Sequence, residues 1–140
     1  MIVLDTNVVS ELMRPIPHRG VARWVAARPA SSLFTTTITQ AEIFYGVRML
    51  PRGRRRDALE TSVRAMFDED LGGRILSFGP DAALLYAEVA AERCRVGRPI
   101  SHFDAQIVAI ARAVGATLAT RNVRDFEGCG VRVVDPWTAR

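Results

Sequence analysis

The sequence predicts an α/β domain in which a mostly parallel central sheet is covered by helices on both faces, giving three layers. Two observations predict it. Short aliphatic runs without polar alternation, such as "IVL" from the second residue and "ATLAT" late in the chain, read as strands buried on both faces. Segments of helical periodicity separate them, and strand and helix alternate along the whole chain, the pattern of parallel strands joined by crossover helices. At 140 residues the chain suits one domain, residues 1–140, able to bury roughly two thirds of the surface its unfolded form exposes.

Each element has its own warrant. The opening "MIVLDTN" is a strand that stops on Asp5, and "VVSELM" is a helix that Asp5 is suited to cap. Pro15, Pro17 and Gly20 end that helix, and a short one around "VARWVAA" follows, with Trp24 as its core anchor. A strand from Leu33 to Thr37 leads into a helix over roughly residues 40–50, with Thr39 and Glu42 at capping-box spacing. "PRGRRRDALETSVRAMF" turns and opens another helix, and "GGRILSF" is a strand. A long helix starts at Asp81 and stops at Gly97. "SHFDAQIVAIARAVG" is the last helix, followed by the strands "ATLAT" and "GVRVVDPW".

Composition excludes several function classes. No apolar run approaches the roughly 18 residues of a membrane span, and Asp5 and Glu11 interrupt any signal peptide, so a soluble cytoplasmic protein is expected. Cys94 and Cys129 form no metal-ligand or CxxC spacing. All 19 basic side chains are arginine. The absence of lysine removes Walker A loops, Schiff bases and the lysine of phospho-aspartate enzymes. A net charge of +4 and a pI of about 10.0 favour a polyanionic partner, and the arginine fork suits phosphate.

The carboxylates carry the chemistry. Asp5 ends the first strand, Glu42 follows the second, Asp104 opens a helix and Asp125 follows "TLAT", so all four are expected at the carboxyl edge of one sheet, where ligands of open α/β sheets bind. Helix capping accounts for each acid singly: Thr39 with Glu42 and Ser101 with Asp104 fit the capping pattern. It does not account for their facing. Ile107, Val108 and Ala111 share a helix face with Asp104, and Tyr45, Gly46 and Met49 share one with Glu42, so both acids are expected to point inward. Gly46 costs ~1 kcal/mol inside a helix and suggests that another backbone approaches there. Carboxylates gathered in a partly buried cleft need a counter-charge, supplied by an arginine or a hard divalent cation. An oxygen-rich set suits Mg²⁺ or Mn²⁺ and hence hydrolysis of phosphodiesters.

The stretches "MIVLDTNVVSELMRP", "TTTITQAEIFYGVRML", "SHFDAQIVAIARAVGATLATRNVRDF" and "GVRVVDPW" together resemble PIN-domain proteins of the VapC type, near their FitB-like branch. The resemblance covers nearly the whole chain. It implies a PIN fold and an Mg²⁺-dependent ribonuclease acting as the toxin of a type II toxin–antitoxin pair. It also implies a homodimer held inactive, in a larger assembly, by a small DNA-binding antitoxin. Carried over by position, the family's acids and metal ligands fall on Asp5, Glu42 and Asp104, with Thr6 and Asn7 completing the first motif and Thr120 and Arg121 belonging to the last. These four are expected to bind substrate. Many members have an aspartate two residues after that threonine, where this chain has Asn122. Asn122 is expected to orient water or substrate, and Asp125 to add charge from further out.

Other features weigh less. Arg48, Arg52, Arg54, Arg55 and Arg56 read equally as a guide for RNA phosphates and as a solvated loop. His102 reads as a surface or capping residue, and Phe44, Tyr45, Trp24 and Trp137 as core or interface residues. Two other functions stand beside the nuclease. A phospho-aspartate phosphatase is weakened by Asn7, where its motif has a second aspartate, and by the missing lysine; a non-catalytic nucleic-acid or partner-binding module needs a cleavage assay to exclude it.

Overall fold

The computed structural model describes residues 1–139. Five strands form one all-parallel sheet: β1 Ile2–Leu4, β2 Leu33–Thr36, β3 Ile75–Leu76, β4 Thr117–Ala119 and β5 Val133–Val134, in the order β3-β2-β1-β4-β5. The helices are α1 Thr6–Leu12, α2 Arg19–Ala26, α3 Thr37–Arg48, α4 Arg54–Ala65, α5 Pro80–Arg95 and α6 His102–Ala113. A π-helical turn, Met66–Asp70, ends α4, and a 3-10 turn, Val123–Phe126, follows β4. No helix among the described residues is long and apolar enough to cross a membrane.

Strand pleat assigns the two faces. Leu4 and Ala119 pack with Val8, Trp24, Ile43, Val63 and Phe67 from α1 to α4 and the π-turn. Their neighbours Val3 and Leu118 point the other way, against Val89 of α5 and Ile107, Val108 and Ala111 of α6. Both faces of the central strands are therefore covered, which is why their sequences are aliphatic without alternation. Trp24 is buried as expected, and Gly97, just past α5, takes the left-handed conformation (φ 73°) of a helix stop.

The expectation for the second helix needs correction. α3 begins at Thr37, three residues early, and its cap is Thr36, whose Oγ1 accepts from the Thr39 amide at 3.1 Å. Thr39 therefore caps nothing. The buried stripe is Thr39, Ile43 and Val47, whereas Tyr45, Gly46 and Met49 are exposed. Those three residues do not form a core face, and sharing it does not turn Glu42 inward. Nor does another segment of this chain approach Gly46: a Cβ there would have nothing within 4 Å. Gly46→Ala should accordingly stabilise the isolated chain by about 0.5–1 kcal/mol, read as a higher urea midpoint at unchanged slope. A loss of stability would show that a second molecule's backbone sits there.

Candidate active site

β1 lies between β2 and β4, so the connections after β1 and β4 leave in different directions and open a crevice at their carboxyl ends. A cleft of about 600 Å³ occupies that edge, and Asp5, Glu42 and Asp104 line it together. Thr6, Asn7, Arg121 and Asn122 complete the part that the sequence anticipates.

Asp5 is the anchor. Only 3% exposed, it caps α1 by accepting from the Thr6 amide at 2.8 Å through Oδ1. Its Oδ2 accepts from the Thr120 hydroxyl at 2.7 Å, a bond that joins the end of β1 to the end of β4. Capping and site formation are thus two oxygens of one carboxylate. Thr120 Oγ1 in turn accepts from Asn7 Nδ2 at 3.2 Å and from the Asn122 amide at 3.1 Å. Asn7 Oδ1 accepts from the Arg121 amide at 3.3 Å. The aspartate and asparagine of "DTN" and the residues of "TRN" therefore interlock across the two strand ends.

Glu42 joins through Thr6, whose hydroxyl donates to Oε1 at 3.1 Å. With that proton committed, the 3.0 Å contact between Thr6 and Thr39 is a donation from Thr39. Thr39, fully buried, is a site residue that the sequence analysis assigned only to capping. Asp104 sits in the first turn of α6, its amide donating to Ser101 Oγ at 3.1 Å, and the buried Ile107, Val108 and Ala111 set its facing as the periodicity requires.

Burial raises the pKa of all three acids. For Asp5 desolvation dominates, opposed by the bonds from Thr120 and Thr6 and reinforced by the charges of Asp104 and Asp125. Glu42 is raised by desolvation against the bond from Thr6, with Asp5 and Asp104 adding repulsion. Asp104 is raised by desolvation against its bond to Ser101, with Asp125 adding repulsion. No arginine answers these charges: among the described residues every ion pair involves other carboxylates.

The remaining expectations divide. Asp125 is exposed and stands outside the cleft lining, in a turn closed by its amide on the Asn122 carbonyl at 3.0 Å; it reaches the site by its charge. Arg93, 7% exposed and unforeseen, fixes that turn by donating to the Asp125 carbonyl at 2.7 Å and the Arg98 carbonyl at 2.7 Å. None of Arg48, Arg52, Arg54, Arg55 or Arg56 lines the cleft; Arg14 and Arg121 do. Trp137 lines it too while packing against the hydrophobic core, in keeping with its core or interface reading. His102 is an exposed partner of the Tyr86 hydroxyl at 2.6 Å.

Comparison with known proteins gives the family of the chain. The PIN domain family model matches residues 2–128. The VapC ribonuclease Y4jK of Sinorhizobium fredii is 38% identical, over 98% of each chain. Toxin FitB of Neisseria gonorrhoeae is 34% identical, over 98% of this chain and 99% of its own. The solved structure of FitAB bound to an IR36 DNA fragment contains a chain that superposes with a TM-score of 0.92 at 33% identity, covering 100% of this chain and 98% of that one. The chain belongs to the PIN-domain family and, within it, to the group of VapC and FitB proteins.

Proposed function

We propose that this chain is a metal-dependent endoribonuclease, the toxin of a toxin–antitoxin pair, and that it hydrolyses RNA phosphodiester bonds at the cleft of Asp5, Glu42 and Asp104. One observation carries the reading: three carboxylates from distant segments share an open cleft, each with a raised pKa and none in an ion pair among the described residues. Among the described residues no three Asp, Glu, His or Cys side chains stand close enough together to hold a metal ion by themselves. An ion bound here would take the rest of its ligands from water and substrate phosphate, as Mg²⁺ does. Held by Asp5, Asp104 and Glu42, Mg²⁺ or Mn²⁺ would neutralise charge on the phosphoryl oxygens and lower the pKa of a bound water.

The chain's own residues do the rest. Thr120 and Thr6 hold Asp5 in one rotamer, and Thr6 holds Glu42, so the carboxylates are oriented before substrate arrives. Carboxylates whose pKa is raised are better bases than solvated ones and can take a proton from the attacking water. Attack in line on phosphorus releases the 3′ oxygen and leaves a 5′-phosphate. Asn122 is exposed at the cleft, where its amide can orient water or a phosphate oxygen, and Thr6, Asn7 and Arg121 shape the substrate's approach; Thr120, expected to bind substrate, is fully buried outside the lining and acts by holding Asp5. A phosphatase mechanism needs a second aspartate two residues after Asp5 and a lysine, whereas this chain has Asn7 there and no lysine. The resemblance to FitB extends the reading to a homodimer controlled by a small DNA-binding antitoxin, in the cytoplasm where its RNA lies. An antitoxin arginine paired bidentately with a cleft carboxylate would exclude the metal.

Asp5→Asn, Glu42→Gln and Asp104→Asn should each abolish Mg²⁺-dependent RNA cleavage while the fold persists by circular dichroism, and a chelator should abolish it in the wild type. Wild-type cleavage by any one of them removes that residue from the site. Asn122→Asp should keep cleavage and tighten Mg²⁺ binding, and Asp125→Asn should lose less activity than Asp5→Asn, both read by metal titration and single-turnover cleavage. A loss at Asp125 as complete as at Asp5 would make it a direct ligand.

Stability should report the same repulsion. The ordinary carboxyl values here are 3.8 for Asp and 4.5 for Glu, and the folded values lie above them. The native state therefore binds protons more tightly than the unfolded chain within that interval, so this contribution is whole below about pH 4 and is lost as pH rises through the raised values. In chelator, urea midpoints of the wild type should fall relative to Asp104→Asn as pH climbs from 4 to 7, and added Mg²⁺ should recover the wild type alone. A difference that ignores pH and metal would mean that the acids do not strain the fold.

A further inference from the structure

The cleft contains more than its acids. Trp137, half-buried, stands in its lining beside Arg14 and Arg121, and the Arg121 guanidinium carbon lies 5.2 Å from the centre of the indole ring. The ring packs in part against the hydrophobic core and is otherwise open to the polar cleft, where no step of the hydrolysis uses it. Its position is built. The Trp137 amide donates to Asp135 Oδ1 at 2.9 Å, and the Asp135 carbonyl accepts from Thr138 and Ala139 at 3.2 and 2.9 Å, closing a turn around the buried Pro136. That turn follows β5, which is tied to β4 by the Thr120 amide on the Val134 carbonyl at 2.9 Å, and Thr120 is the residue that holds Asp5. The ring and the acids are thus referred to one frame.

Arg121 supplies the second half. Four carboxylates line this cleft, Glu11 included, yet among the described residues Arg121 pairs with none of them and lies over the indole instead. Its main chain is fixed by Asn7 while its side chain is exposed. Arg14, 67% exposed, has a partner in Glu11 at 3.2 Å. A flat apolar ring next to a guanidinium that pairs with no carboxylate among the described residues matches the two repeating chemistries of a single strand, base and phosphate. A duplex does not offer its bases to such a ring.

Resting on the nuclease reading for the identity of the polymer, we propose that Trp137 and Arg121 form a nucleotide subsite of the cleft. A base of single-stranded RNA stacks on the Trp137 indole, the adjoining phosphate meets Arg121, and Arg14 extends the cationic edge. The strand is thereby registered against Asp5, Glu42 and Asp104.

The chain has two tryptophans, and only one can report. Trp24 is 4% exposed and covered by Arg28 at 3.7 Å, so quenching by a ligand reads Trp137. A short single-stranded oligoribonucleotide titrated in chelator, so that cleavage does not intervene, should quench the wild-type emission. Trp137→Leu should abolish the quench and weaken binding about tenfold or more by anisotropy, and Trp137→Tyr should restore most of the affinity. Arg121→Gln should reduce the salt dependence of binding by about one phosphate contact. Binding without quenching, no binding at all, or an affinity unchanged in Trp137→Leu overturns the subsite; the wild-type quench needs no variant to fold. The two readings fail separately. Cleavage with an unaltered KM in Trp137→Leu would refute the subsite and leave the nuclease, whereas Trp137-dependent quenching without cleavage of any RNA would do the reverse.

Discussion

The hydrogen bond from the Thr120 hydroxyl to Asp5 Oδ2 is the constraint on which the site depends, because it links the ends of the two central strands through a buried carboxylate. A carboxylate 3% exposed is costly unless its oxygens are occupied, and here the Thr6 amide, the Thr120 hydroxyl and Asn7 occupy them. Those groups sit on two strand ends and one helix start. The same bonds that make the burial tolerable therefore fix the relative positions of "DTN" and "TRN", and from them the Arg121 main chain and Asn122.

The all-parallel sheet supplies the place. Parallel strands need crossover helices, and each helix that begins after a strand starts at the carboxyl edge. α1 and α3 enter there with Asp5 and Glu42, and α6 brings Asp104 to the same edge from the other layer. Three acids reach one cleft because three chain segments must pass it. Among the described residues the arginines pair with Glu11, Glu60, Glu88, Glu92 and Glu127, which leaves Asp5, Glu42 and Asp104 without an arginine partner in a molecule of net charge +4. The local field thus opposes the global one, an arrangement suited to drawing a polyanion near while a small cation is held at the centre.

Asp104 and Glu42 show where periodicity is a sufficient guide and where it is not. Asp104 precedes Ile107, Val108 and Ala111, all fully buried, so its facing follows from its neighbours. Glu42 precedes Tyr45 and Met49, each 67% exposed, and apolar spacing misleads there because those side chains face away from this chain's core. What brings Glu42 to the site is Thr6, 36 residues earlier, and behind it Thr39. Helix periodicity does not encode a bond of that separation.

By itself the sequence determined the alternation of strands and helices, the identity of the acids and their expected gathering at one sheet edge, because these rest on local periodicity and on the rule that parallel sheets expose their carboxyl ends. Several things were decided only by the tertiary structure. Thr36, not Thr39, caps α3, since hydroxyls at both positions are locally competent and packing against Thr6 selects between them. Trp137 lines the cleft because β5 docks beside β4 and the Asp135 turn carries the ring over the strand end, a juxtaposition of residues 121 and 137 that no local pattern contains. Arg93 is buried against the turn bearing Asp125 because the carbonyls of Asp125 and Glu127 and the Cys129 sulfur, all distant in sequence, converge on its guanidinium with the nearby Arg98 carbonyl. Local sequence specifies which residue can make a contact; only the assembled chain brings its partner within a few ångströms.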